Sequence, residues 1–218
     1  MKKVISTEKF QTLLFDGMSI MVGGFMAVGT AEVLIDAIVA SQVKNLTIIC
    51  NDAAYPGKGI GKLIDNNQVK ILIASHIGLN PVVGQKMHTK ELEVILVPQG
   101  TLAEQIRAGG AGLGGVLTKT GLGTIVEEGK QKIIIDKQEY ILEKPLKADM
   151  ALLRGSIVDY YGNIIYNKTT RNFNPLMATA AKTVVVWAES LVEDIDKEKV
   201  MTPHIFVDYI IRGEKCGC

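Results

Sequence analysis

Short apolar runs alternate with amphipathic stretches through the first hundred residues. Residues 18–22, 46–50, 69–74 and 92–97 are aliphatic or β-branched runs with the length of a buried strand. Between them lie 31–40, 59–66 and 81–89, each long enough for a crossover helix, and 101–108 continues the helical pattern after the fourth run. Strands joined by such crossovers lie parallel in one open sheet. Beyond residue 130 the pattern changes. Residues 132–135 and 139–143 flank Asp136-Lys137-Gln138 and predict a hairpin inserted on the parallel core, while 151–156 and 183–189 predict further strands and 174–181 a helix. The only tryptophan, Trp187, lies within the apolar run 184–188 and is expected in the core. No repeat, low-complexity stretch or linker interrupts the chain. The expected architecture is one α/β domain over 1–218: an open, mostly parallel sheet with flanking helices and an inserted β-hairpin, with 213–218 as a flexible tail.

Composition narrows the classes of function. A chain of 218 residues can bury a substantial core. Lys and Arg total 24 against 23 Asp and Glu, which leaves no basic field for a nucleic acid. No apolar run approaches the ~20 residues that cross a bilayer. Met1-Lys2-Lys3 leads into a mixed polar stretch rather than a signal core, so the expected location is the cytoplasm. Three cysteines, Cys50, Cys216 and Cys218, give no disulfide framework. Cys216 and Cys218 lack a nearby histidine, and His76, His88 and His204 are scattered, so no metal site is expected.

The chemistry-bearing stretch is Asp16 to Thr30, an apolar strand running into a glycine-rich turn. Gly23, Gly24 and Gly29 allow close approach of a ligand to the backbone, and the helix predicted from Ala31 turns its amino end toward the same place. Gly24 to Gly29 has the spacing of a P-loop, but Thr30 stands where the phosphate-binding lysine belongs. A literal G-x-G-x-x-G at Gly110, Gly112 and Gly115 follows a helix and precedes none, the wrong context for a dinucleotide fold. Seven glycines fall between Gly109 and Gly123, a segment expected to be a long loop that serves as a lid, an interface or a mobile surface.

Asp16-Gly17, Gly23-Gly24-Phe25 and Gly29 resemble the signature of the family I coenzyme A transferases, with Ala31 in place of the usual proline. The resemblance extends through Asn51-Asp52, Gly57 to Gly61, Ile77-Gly78-Leu79-Asn80-Pro81, Val97 to Thr101, Ile106 to Gly112, Arg154-Gly155-Ser156 and Lys168 to Ala178. It covers residues 4–210 and matches the alpha subunit of the family's acetoacetate-using members. It implies transfer of CoA between acetoacetyl-CoA and acetate or butyrate. In that chemistry a glutamate attacks the acyl-CoA, and an anhydride and then a glutamyl-CoA thioester form.

The family's glutamate lies in a Ser-Glu-Asn-Gly or similar segment of the beta half, and no such pattern occurs here. Glu127-Glu128-Gly129 and Glu189 are poor substitutes. The resemblance therefore implies no catalytic residue in this chain, no cofactor beyond CoA as a substrate moiety, and a separate beta subunit, by default in an alpha2-beta2 assembly. Gly24, Phe25, Met26, Ala27, Val28, Gly29 and Thr30 become the CoA-facing loop, with backbone N–H groups of the Gly-Gly-Phe turn aimed at an oxyanion. A side chain at Gly24 is expected to block it while sparing the fold. Gly23, Asn51, Gln99, Gly100 and Thr101 are candidates for the substrate crevice, Thr101 serving equally well as a helix cap. Lys168, Arg171 and Asn172 suit a CoA phosphate, the beta subunit or a solvated loop. Two alternatives stand beside the transferase: an enzyme like the sugar-phosphate isomerases, which would work without a partner, and a non-catalytic CoA-binding module.

Overall fold

A computed structural model describes residues 3–213, so Cys216, Cys218 and nearly all of the expected tail lie outside the described residues. The elements of the first half are α1 (Thr7–Gln11), β1 (Ser19–Val22), α2 (Glu32–Ser41), β2 (Leu46–Cys50), α3 (Gly61–Asp65), β3 (Val69–Ala74), α4 (Pro81–His88), β4 (Glu93–Leu96) and α5 (Gln99–Ala111). Then come β5 (Val116–Thr118), β6 (Lys132–Ile135), β7 (Gln138–Glu143), β8 (Ala148–Asp159), β9 (Ile164–Ile165), α6 (Asn174–Met177), β10 (Ala181–Val192) and β11 (Tyr209–Arg212). Among the described residues no helix is long and apolar enough to cross a membrane.

The main sheet runs β11-β10-β8-β1-β2-β3-β4 with every pair parallel, and β9 adds an antiparallel pairing to the end of β8. The chain lays strands outward from β1 to one edge, then returns to β1's other side with β8. The strand order therefore reverses between β1 and β8, and the crevice beyond the carboxyl ends of those strands is where such sheets bind ligands. Alternation along the strands sorts side chains between two cores. Ile20, Val22, Ile48 and Leu72 pack with α2 and α3 on one face. Met21, Ile49, Ala151 and Val186 pack with α5 and α6 on the other. Burial on both faces is why these strands read as continuous apolar runs rather than alternating ones. Trp187 is half-buried, packed against the first core with the Arg154 guanidinium 5.3 Å from its ring.

Several expectations need correction. The helix expected from 101 begins at Gln99 and runs through Gly109 and Gly110 to Ala111, so the expected loop from Gly109 is in part the end of α5 and in part β5. Close packing explains its glycines. A Cβ on Gly109 would lie 1.9 Å from the Leu146 carbonyl oxygen, and one on Gly110 would lie 2.0 Å from Thr179 Oγ1. Gly112 caps the helix in the left-handed region at φ 70°. The expected hairpin is two strands of a three-stranded antiparallel sheet, β5-β7-β6, turning through Asp136 and Lys137, both at positive φ. The strands expected at 151–156 and 183–189 are 12 residues each. The helix expected over 174–181 is one turn. There Thr179 and Ala180 donate to carbonyls three residues back, the tightened bonding that ends a helix. The sequence reading missed β11, and the amino-terminal segment pairs with it: Val4 bridges Ile210 in parallel, and Ile210 N donates to Lys3 O at 2.8 Å.

Candidate functional site

Leaving β1 at the reversal point, Gly23 donates its N–H to Leu152 O of β8 at 3.0 Å. Phe25 and Val28 then close a tight turn with reciprocal backbone hydrogen bonds of 2.9 Å. Its two central residues, Met26 and Ala27, are not glycines yet sit at φ 50° and 64°. Each such residue costs on the order of 1 kcal/mol, so the surroundings must hold the turn in place.

Three side chains do so. The Asp52 carboxylate accepts Met26 N at 2.8 Å. Asn172 accepts Gly24 N at 3.1 Å through Oδ1 and donates to Val28 O at 2.9 Å through Nδ2. Asn174, fully buried, donates to Gly29 O at 3.0 Å and accepts Arg154 N at 3.0 Å. Glycine is required at 24, where φ is 137° and a Cβ would stand 2.1 Å from Thr30 Oγ1. A side chain there disturbs the fold as well as the loop, contrary to the expectation that it spares the fold.

The oxyanion expectation also changes. The N–H groups of Gly23, Gly24 and Phe25 are all spent inside the protein, on Leu152, Asn172 and Val28. Among the described residues, Ala27 and Gly29 are the members of the 23–30 segment whose N–H groups have no protein acceptor. Nor is the amino end of α2 an open anion site. Glu32 occupies its first turn, accepts Gly59 N at 2.8 Å and pairs with Lys62 at 2.8 Å, bringing its own negative charge to the helix end.

Asn51, just past β2, and Gln99, the first residue of α5, are brought together: Gln99 Nε2 donates to Asn51 Oδ1 at 2.6 Å. Asn51 Nδ2 donates to Asp52 Oδ2 at 2.7 Å, the oxygen that also holds Met26. One buried carboxylate thus links the glycine turn to Gln99. Cys50, just before it, is a buried thiol pushed up in pKa by burial and the nearby Asp52 charge, and so is inert. Gln99 and Gly100 line an open groove of about 850 Å³ together with Phe25, Arg107, Arg171 and Phe173. Thr101 does not join them. It is buried at 4 % exposure, and the helix begins two residues earlier at Gln99, after a Pro98 cap, so Thr101 is neither cap nor groove wall.

A second, more apolar groove of about 610 Å³ lies against the turn's other side, lined by Phe25, Met26, Val28, Tyr55, Thr169 and Asn172. Phe25, Met26 and Val28 are 42 %, 39 % and 50 % exposed, so the turn's tip stands proud between the grooves. Among the described residues no glutamate lines either groove, and Glu32, in a further cleft beside the turn, is paired with Lys62. Glu189 is instead paired with Arg154 at 2.9 Å, and Glu127, in a 3-10 turn between β5 and β6, is paired with Lys132 at 3.0 Å and held below the usual carboxylate range first by the Gly123 N–H. Asp52, Asn172 and Asn174 carry more of the site's geometry than sequence reasoning assigned them; Asp52 stands at a strand end, but the asparagines reach the turn only through the fold.

The coenzyme A transferase family model matches residues 5–213. The acetoacetyl-CoA:acetate/butyrate CoA transferase alpha subunit of Clostridium acetobutylicum is 60 % identical over 212 residues, 96 % of this chain and 97 % of that protein. The acetate CoA-transferase subunit alpha of Escherichia coli K12 is 50 % identical over 218 residues, 99 % of each chain. Among solved structures, the acyl-CoA transferase YdiF of Escherichia coli O157:H7, in a thioester complex with CoA, superposes with a TM-score of 0.85 at 21 % identity. The match covers 97 % of this chain but only 47 % of that one. The decarboxylase AibA/AibB gives 0.83 at 20 % identity, covering 98 % of this chain and 84 % of that one, so the fold alone does not choose a reaction.

Proposed function

Because the chain belongs to the coenzyme A transferase family and is a subunit of the alpha type, we propose that it works with a beta subunit to move CoA between acetoacetate and acetate or butyrate. The observation that carries the reading is the glycine turn, set where the strand order reverses, with a groove on each side and, among the described residues, no glutamate in either. Gly24 to Thr30 then face the CoA thioester, and Gln99 and Gly100 face the carboxylic acid. Asn51 and Gly23 support them from beneath.

The beta subunit supplies the nucleophile. Its glutamate carboxylate adds to the acyl-CoA carbonyl and expels CoA thiolate, leaving an acyl-glutamyl anhydride. The thiolate then attacks the glutamyl carbonyl, releasing the first acid and forming a glutamyl-CoA thioester, and the acceptor acid runs the two steps backwards. Negative charge develops on a carbonyl oxygen at each addition, and the unengaged N–H of Ala27, in the half-buried part of the turn, is suited to meet it. We take the assembly as alpha2-beta2, the metal requirement as none, and the site of action as the cytoplasm.

The test is CoA transfer from acetoacetyl-CoA to acetate and to butyrate, assayed with the chain alone and with its beta subunit. Activity in the mixture only is expected. Activity of the chain alone places the nucleophile here, and inactivity of both favours a binding module. The family match already sets the isomerase alternative aside.

A further inference from the structure

The small sheet leaves one edge open. Its order is β5-β7-β6, so among the described residues β6 pairs on one side only, and β5, the opposite edge, is three residues long. Antiparallel partners alternate between pairs that exchange hydrogen bonds and pairs that do not. Leu142 N donates to Gln131 O at 2.8 Å, in register with the pairing of β6 and β7, which makes Gln131, Ile133 and Ile135 the residues bonded to β7. The N–H and C=O groups of Lys132 and Ile134 therefore face away from the sheet.

This edge is apolar as well as unpaired. In the run Lys132-Ile133-Ile134-Ile135, Ile134 is 70 % exposed and Ile135 is 45 % exposed. An open edge is a template for another strand, and proteins blunt it with charge, proline, a bulge or a cover. Strand β6 holds no proline and its register with β7 runs without a shift. Its one charge, Lys132, is drawn to Glu127 at 3.0 Å and to Glu139 at 3.6 Å. Just past the strand stands Asp136, an exposed carboxylate at the hairpin turn.

We propose that β6 pairs antiparallel with β6 of a second copy of this chain across a two-fold axis, joining two three-stranded sheets into one of six strands. The register follows from the open groups and the charges. Open groups meet open groups only when the axis passes through a residue rather than between two. An axis at Lys132 sets two ammonium groups face to face, and one at Ile133 or Ile135 sets a charge against Ile134. An axis at Ile134 packs Ile134 on its own mate and sets each Ile133 against the partner subunit's Ile135. It also brings each Lys132 beside the partner subunit's Asp136, opposite charges at both ends of the contact. Both chains use the same edge, so the contact closes at two copies and leaves no β6 edge for a third. The contact does not depend on the transferase reading.

The experiment is sedimentation equilibrium on the full chain, for which a dimer is expected at micromolar concentration. Ile134→Asp, a change at an exposed side chain, is expected to raise the dimer dissociation constant about a hundredfold and to leave the circular dichroism spectrum unchanged. Lys132→Glu and Asp136→Lys each set like charges together at both ends of the contact, and each is expected to raise the constant about tenfold. Mixed in equal amounts, those two variants restore the dimer, because a mixed pair again brings opposite charges together at both ends. A merely structural role for either residue gives no such rescue. A monomeric wild-type chain, a dimer indifferent to Ile134→Asp, or no rescue on mixing overturns the proposal. So does a beta subunit that splits the dimer or fails to bind the Ile134→Asp chain, since the edge is then its own docking strand.

Discussion

Gly24 carries two demands at once, a φ of 137° and the close approach of Thr30 Oγ1 to where a side chain would begin. Gly24→Ala is therefore expected to cost about 1–3 kcal/mol in urea denaturation and to lower turnover as well. Gly57→Ala is the control. Its φ is 69° but nothing lies within 4 Å of an added Cβ, so it should cost about 1 kcal/mol from backbone strain alone. The glycines of this site were legible because only glycine meets such demands, and their spacing stands out in any sequence. The asparagines were not. Asn172 grips Gly24 from 148 residues away and Asn174 grips Gly29 from 145, and nothing local in their neighbourhood marks them as partners of the turn. Asp52 was seen as a strand-end residue, but its hold on Met26, 26 residues earlier, is a tertiary fact.

Three adjacent strands, β10, β8 and β1, are tied at their amino ends by one carboxylate. Asp149, in β8, accepts Ser19 N at 3.0 Å and Ser19 Oγ at 2.7 Å from β1, and Lys182 Nζ at 2.8 Å from β10. The Lys182 ammonium, then the Ser19 donors, hold its carboxyl at about 2. Its unfolded value is near ~3.9, so the folded state is favoured by the ionised form, and the gain is complete above that value and lost as pH falls through 2. Asp149→Asn should lower stability by about 2 kcal/mol at neutral pH. Denaturation curves of variant and parent should converge between about pH 5 and pH 2; a gap that persists at low pH would contradict the assignment. The strands of the first half were readable nearly to the residue: β1 and β2 are apolar because they are buried on both faces, while β4, largely exposed at the sheet's edge, still carries the aliphatic run Val94-Ile95-Leu96. Helix α5 was read short because glycine is a poor helix former. Gly109 and Gly110 are there because backbone and side chain press against them, and packing outweighs a propensity of about 1 kcal/mol. Strand β11 went unread although it is no shorter than β1 or β4.

At the scale of the whole molecule, the doubly wound order places the turns after β1 and β2 and the start of α5 at one end of the sheet, and the sequence told that much through the order of its strands and helices. What it did not tell is that both ends of the described chain meet at the sheet's far edge, Val4 bridging Ile210 and Ile5 N donating to Ile210 O at 2.9 Å. The consequence concerns threading. A linker of about ten residues can close the chain from Gly213 back to Lys3, and the exposed turn at Asp136 and Lys137 offers a place to open it. A circular permutant beginning at Gln138 and ending at Lys137 keeps every pairing of the main sheet. It should melt cooperatively within a few degrees of the parent by circular dichroism, whereas a broad, non-cooperative melt would show that the order of synthesis is needed. Which residue comes first is then a matter of where the ring is cut.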